Sequence, residues 1–290
     1  MNYDITHVTR YTYAAAVELT TGIMRLTPAT DVEQALRRFD IETNPPSISL
    51  RQHVDSFGNE VRSFRIEQPH RELTITASSR VFVRRLPFPP RSPAWETVAK
   101  DALLAASLGP DSPALGLYPS RRISLFDEAT VYARESFSHR RPIYEAALEL
   151  TNRINNDFSY DPDATKVDTP AQDAFRNRRG VCQDFAHIMI AAVRGLGLPA
   201  LYVSGYIRTI PPPGKERLAG ADASHAWVSI WCGGEIGWKD FDPTNAQPIQ
   251  DDHIVVARGR DYSETSPIES LVLSYGQHTL DVEVDVIAVD

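Results

Sequence analysis

Hydrophobic residues are spaced in two ways along this chain, and the change falls near residue 85. Before it, short runs rich in β-branched and aromatic side chains recur at 3–13, 23–27, 37–43, 61–67 and 73–83. Such runs are strand signals. Asn44-Pro45-Pro46 and Gly58-Asn59 supply turns between them. Residues 1–85 therefore read as an antiparallel β domain. Leu86-Pro87-Phe88-Pro89-Pro90-Arg91-Ser92-Pro93 then breaks the pattern, as a domain boundary or a stiff linker.

Helical spacing follows. Residues 95–107 and 126–137 fit it, which makes 86–140 a Pro-rich linker plus a helical segment. Over 142–157, Ile143, Ala146, Ala147, Leu150 and Ile154 draw one face behind Pro142. Over 182–196, Phe185, Ile188, Met189, Ala192 and Leu196 do the same, and Gly197 and Pro199 stop the helix. Strand patterns return at 200–207, 223–232, 236–241 and 279–289. Helices followed by strands predict an α+β core over 141–290 with a C-terminal strand tail. The long polar loop 208–221, with Pro211-Pro212-Pro213-Gly214, is placed to border a binding site.

Chemistry concentrates in that core. Cys182 follows Gly180-Val181 at the start of the amphipathic helix. Unpaired amide N–H groups and the positive end of the helix dipole favour a thiolate at such a place. In Ser224–Cys232 the residues alternate: Ala226, Val228, Ile230 and Cys232 on one face, His225, Trp227, Ser229 and Trp231 on the other. The first face is small and apolar, so it packs on the helix and takes Cys232 into the core. A turn at Gly233-Gly234 brings the next strand alongside. Asp240 and Asp242 share parity there, so either can orient the imidazole of His225. A nucleophile, a base and an orienter result. His187, five residues beyond Cys182, points about 140° away on a helix and does not qualify as the base.

Composition narrows the alternatives. A net charge of −8 over 290 residues argues against nucleic acid or an anionic membrane as the main partner. Two cysteines give no disulfide framework and too few thiolates for the usual structural zinc site. Walker A, GxGxxG, GxSxG, HExxH and EF-hand patterns are absent, so no cofactor or metal is expected. Met1-Asn2-Tyr3-Asp4 has neither a basic nor an apolar leader character, and no apolar run approaches the roughly 20 residues of a membrane span. The expected compartment is the cytoplasm.

These residues resemble a known family. Gly180-Val181-Cys182-Gln183-Asp184-Phe185-Ala186, Gly195-Leu196-Gly197-Leu198-Pro199-Ala200, Val203-Ser204-Gly205-Tyr206, His225-Ala226-Trp227, and Trp238 with Phe241-Asp242-Pro243-Thr244 look like the transglutaminase-like core. Tyr3, His7, Thr9, Tyr11, Tyr13, Leu26-Thr27-Pro28, Asp55 and Gly58-Asn59 resemble the β domain that precedes this core in a bacterial branch, and His253–Tyr262 is similar to that branch too.

The resemblance implies a papain-like fold and a Cys182-His225-Asp242 triad, and it chooses Asp242 over Asp240. The implied activity is acyl transfer on amide or peptide bonds of a peptide or protein substrate. Hydrolysis is favoured; amine transfer to protein glutamine and a non-catalytic peptide-binding module are the alternatives, the second disfavoured by the intact triad. A peptide N-glycanase type of activity is disfavoured by the missing zinc cysteines. The backbone N–H of Cys182 is a natural oxyanion donor, and Gln183 and Tyr160 are candidates for the other. His253, Arg260 and Asp261 either border the cleft or form a structural turn.

Overall fold

The computed structural model describes residues 1–88, 91–209, 223–273 and 276–289. Most of the loop at 208–221, and part of the Pro-rich break, lie outside the described residues.

Six strands open the chain: β1 (Asn2–Val17), β2 (Leu19–Met24), β3 (Gln34–Asn44), β4 (Ser49–Val54), β5 (Glu60–Ile66) and β6 (His70–Val83). Along β1 every second residue from Tyr3 to Tyr13 is buried, the period a half-buried strand requires. The helices α1 (Trp95–Leu103), α2 (Asp127–Arg134) and α3 (Ile143–Asp157) follow. Next come a two-residue strand β7 (Ser159–Tyr160), α4 (Ala171–Asn177), β8 (Arg179–Gly180) and α5 (Cys182–Gly195). The chain continues through β9 (Ala200–Ile207), β10 (Ala223–Trp231), β11 (Trp238–Asp242), β12 (Gln247–Pro248) and β13 (His253–Gly259). It closes with β14 (Ile268–Leu273) and β15 (His278–Val289).

Two sheets form the N-terminal domain, in the orders β15-β1-β6-β3 and β14-β2-β5-β4. Tyr11, Tyr13, Met24, Phe64, Ile66, Leu73 and Ile75 fill one core there. The expected C-terminal strand is present as β15, but it pairs with β1 across twelve residues, from Asn2↔Val289 to Tyr13↔His278. β14 likewise pairs with β2. The chain thus leaves the core and returns to the domain where it began. Pairing partners so far apart in sequence are not set by local pattern.

The core sheet runs β12-β11-β10-β9-β13, all antiparallel. α5 packs on one face of it. Phe185, Ile188, Met189 and Ala192 meet Ala226, Val228, Ile230 and Cys232 in one cluster, as the alternation of β10 predicts. Near the other end of the sheet, Tyr206, Ile254 and Val256 pack against Tyr3, Ile5, Val81, Val284 and Val286 of the N-terminal domain.

Candidate active site

α5 begins without a capping side chain at Val181. Asp184, in the first turn, does that work from inside: Oδ2 accepts the Val181 N–H at 2.8 Å and the Thr165 hydroxyl at 2.6 Å. A Cβ at Gly180 would stand 2.5 Å from the same oxygen, so glycine leaves the room the carboxylate needs. Burial raises the pKa of Asp184, and those two hydrogen bonds oppose the rise. Cys182, the first residue of α5, is half-buried and unpaired.

The partners come from β10 and β11. Their register pairs Val228 with Phe241 and Ser229 with Asp240. Continued by one step, it sets Asp242 across from Trp227 and diagonal to His225, within reach of a long side chain. His225 Nε2 lies 2.8 Å from Asp242 Oδ2. Cys182 lies near enough to the imidazole for its side chain to help raise the His225 pKa. With Nε2 engaged by the carboxylate, Nδ1 is the ring nitrogen that can serve as base. Burial of His225 would lower its pKa, but the hydrogen bond to Asp242, the Cys182 side chain and the charges of both outweigh it and raise it well above the ordinary 6.5.

Asp242 is fully buried. Its Oδ1 accepts the Thr244 and Asn245 N–H groups at 2.9 and 3.1 Å. Its Oδ2 accepts from His225, from Asn245 Nδ2 at 2.7 Å, and from His253 Nε2 at 3.1 Å. Burial alone would raise this carboxyl; the bonds from His225 and His253, the His225 charge and Asn245 hold it well below the usual carboxylate range. Asp240, of equal parity, is engaged elsewhere. It accepts from Trp227 Nε1 at 3.0 Å and Ser229 Oγ at 2.5 Å, and pairs with Arg258 at 3.1 Å.

The remaining candidates divide. His187 is buried, accepts the Tyr262 N–H at 3.2 Å and is pushed down to about 4 by burial. Cys232 lies in the core with its thiol pushed up to about 12 by burial. Gln183 spends one amide hydrogen on Val167 O at 3.0 Å, which leaves its other one. Tyr160 is 57% exposed, pairs with Gly180 across β7 and β8, and stands close enough to Cys182 for charge on the sulfur to help burial raise the phenol's pKa. His253 borders Asp242, whereas Arg260 and Asp261 form a turn. Arg260 pairs with Glu264, and Asp261 accepts the Arg122 and Ser263 N–H groups at 2.7 and 2.8 Å. Sequence reasoning missed Asn245. Its signal was an amide side chain three residues beyond an aspartate that opens a turn.

His225 Nε2, Asp242 Oδ2 and His253 Nε2 lie within 4.8 Å of one another, a set of atoms that could also ligate a metal. Here the imidazole nitrogens sit at hydrogen-bond distance from the shared carboxylate oxygen. A cleft of about 920 Å³ between the two domains is lined by Glu33, Arg85, Tyr144, Trp238 and Arg258, not by Cys182 or His225. Its volume therefore does not mark the chemistry. Among the described residues, no helix is long and apolar enough to cross a membrane.

Comparison with known proteins agrees with this architecture. Residues 3–82 match the bacterial transglutaminase-like N-terminal region, and residues 131–243 match the transglutaminase-like superfamily. An uncharacterized protein of Mycobacterium tuberculosis is 38% identical over 98% of this chain and 92% of its own length. A protein-glutamine gamma-glutamyltransferase of Pseudomonas aeruginosa is 31% identical over 38% of this chain and 17% of its own. A crystal structure from Cytophaga hutchinsonii, described as a "putative cysteine protease", superposes with a TM-score of 0.72 at 22% identity, over 100% of this chain and 92% of that one. The fold is α+β, and the chain belongs to the transglutaminase-like superfamily, with the bacterial transglutaminase-like N-terminal region ahead of its core.

Proposed function

We propose that this chain is a cysteine-dependent acyl-transfer enzyme acting on amide or peptide bonds, with Cys182 as nucleophile, His225 as base and Asp242 as orienter. The observation that carries this reading is that His225, hydrogen-bonded to a fully buried Asp242, lies beside Cys182 at the start of α5. His225 takes the thiol proton, and Asp242 stabilises the imidazolium so formed. The thiolate attacks the substrate carbonyl carbon, and the π electrons move to oxygen. First-turn N–H groups of α5 lack intrahelical acceptors and are natural donors to such an oxyanion. Tyr160 and the spare Gln183 amide hydrogen are the candidates for a second donor. His225 then returns its proton to the leaving amine as the C–N bond breaks and an acyl-enzyme remains.

Water is the favoured acceptor of that acyl group, which makes the enzyme a peptidase or amidase with a peptide or protein substrate. The partial likeness to a protein-glutamine gamma-glutamyltransferase supports a second reading, in which an amine takes the acyl group. Two unpaired thiols suit a reducing compartment such as the cytoplasm.

Incubation with a glutamine-rich protein such as casein, with and without a fluorescent primary amine, separates the two readings. Cleavage or ammonia release without amine incorporation supports hydrolysis; incorporation supports transfer. Both signals, and any acyl-enzyme seen by intact mass, vanish in Cys182→Ala. A turnover that survives Cys182→Ala would sink the assignment.

A further inference from the structure

β13 is the outer strand of the core sheet, and side chains of the N-terminal domain meet its outward peptide groups. Gln34 closes a bidentate pair on Val255: Oε1 accepts the N–H and Nε2 donates to the carbonyl, both at 2.8 Å. Asn59 repeats the pairing on Arg258, accepting at 2.8 Å and donating at 2.7 Å. Two buried side-chain amides thus stand where the peptide groups of another strand would. Arg85 Nη2 donates to the His253 carbonyl at 2.6 Å, and the Tyr3 hydroxyl donates to Asp252 at 2.9 Å.

The strand held in this way begins with His253, which is fully buried. Its Nδ1 accepts the Gln250 N–H at 3.2 Å, and that contact fixes the ring proton on Nε2. Nε2 therefore donates to Asp242 Oδ2, the same oxygen that meets His225.

We propose that His253 is a positioning residue for Asp242, and that the N-terminal β domain acts on the active site through it by clamping β13. The carboxylate needs one rotamer if its Oδ2 is to hold the His225 ring toward the thiol. A donor on a strand fixed by another domain supplies that restraint. Because His253 gives a hydrogen bond from its Nε2–H tautomer, the negative charge of Asp242 stays available to the His225 imidazolium. The proposal rests on the pairing of Cys182 with His225 described above.

The test needs no substrate. Iodoacetamide alkylation of Cys182 in the full chain at neutral pH, followed by peptide mass spectrometry, reports how well the imidazole activates the thiol. His253→Ala should slow alkylation about tenfold, the effect of removing one hydrogen bond to a buried carboxylate. His253→Gln, which restores an N–H near Nε2, should recover most of the rate. Gln34→Ala should slow it in the same direction by less. If His225→Ala slows alkylation and His253→Ala does not, the positioning role falls while the thiol–imidazole pair stands. If neither variant slows it, both fall. A His253→Gln variant as slow as His253→Ala would also overturn the proposal. Imidazole nitrogen NMR of the unmodified protein provides a check that no variant's folding can blur. The Nε2–H tautomer at His253 is expected, and the Nδ1–H tautomer would refute it.

Discussion

The indole of Trp227 fills the space that a side chain at position 205 would need. A Cβ on Gly205 would stand 2.4 Å from Trp227 Cη2 and 2.1 Å from the Ile254 carbonyl oxygen. Gly205 lies opposite His225 in β9, and Ile254 follows His253 in β13. A methyl group at 205 therefore pushes on the strands that carry both histidines. Gly205→Ala should cost about 1–3 kcal/mol of stability through overpacking, and it should slow Cys182 alkylation as well. Urea unfolding and alkylation rates measured on the same variant check both halves. A variant destabilised but alkylated at the unmodified rate would show that the two strands move without disturbing the site.

His225 and Asp242 titrate as a coupled pair, and their shifts have opposite signs. Asp242 is held below the ordinary carboxyl value of 3.8, so its contribution is present above that value and is lost as pH falls. His225 is raised from 6.5 to about 10, so its contribution is full below 6.5 and is lost as pH rises through about 10. The stabilisation from the pair should be greatest between these two ordinary values and decline on either side. Thermal melts of the unmodified protein and Asp242→Asn across pH will show this as a melting-temperature difference that narrows toward both extremes. A difference constant with pH would mean that the carboxylate acts through packing instead of charge.

The two cysteines should react very differently. Cys182 is half-buried at a helix start, whereas Cys232 is fully buried with its thiol pushed up to about 12. Iodoacetamide at neutral pH should modify Cys182 in the folded protein and reach Cys232 only after denaturation. Equal labelling of both in the native state would contradict the packing of β10 against α5.

Much of this site is legible in local sequence because its determinants are local. The helical stripe from Phe185 to Leu196 fixes where Cys182 sits, and the alternation of β10 sends Cys232 inward and His225 the other way. The Gly233-Gly234 turn fixes which strand lies beside His225. Parity could not separate Asp240 from Asp242; the difference is which partner each carboxylate finds, Trp227 and Ser229 for one and His225 for the other. His253 is a different case. Its role depends on β13 pairing with β9, and on Gln34, which sits 221 residues from Val255. The return of β14 and β15 to the first domain depends in the same way on long-range pairing. Neither has a periodic signature along the chain.

Asn245 supplies the last prediction, because one position can test both hydrogen bonding and charge at Asp242. It donates from Nδ2 to Asp242 Oδ2 at 2.7 Å and from its backbone to Oδ1 at 3.1 Å. Asn245→Ala removes the side-chain donor and keeps the backbone one, so alkylation of Cys182 should slow by about tenfold or less. Asn245→Asp puts a second carboxylate at hydrogen-bond distance from a buried first one. Like charges so close cannot both remain ionised at low cost, so one of the two must bind a proton or move away. Asn245→Asp should therefore lose more stability than Asn245→Ala at pH 8, and the gap should shrink at pH 5 as the new carboxyl protonates. Paired melts at the two pH values settle the point. If Asn245→Asp is no less stable than Asn245→Ala at pH 8, the Asn245 side chain does not sit against an ionised Asp242.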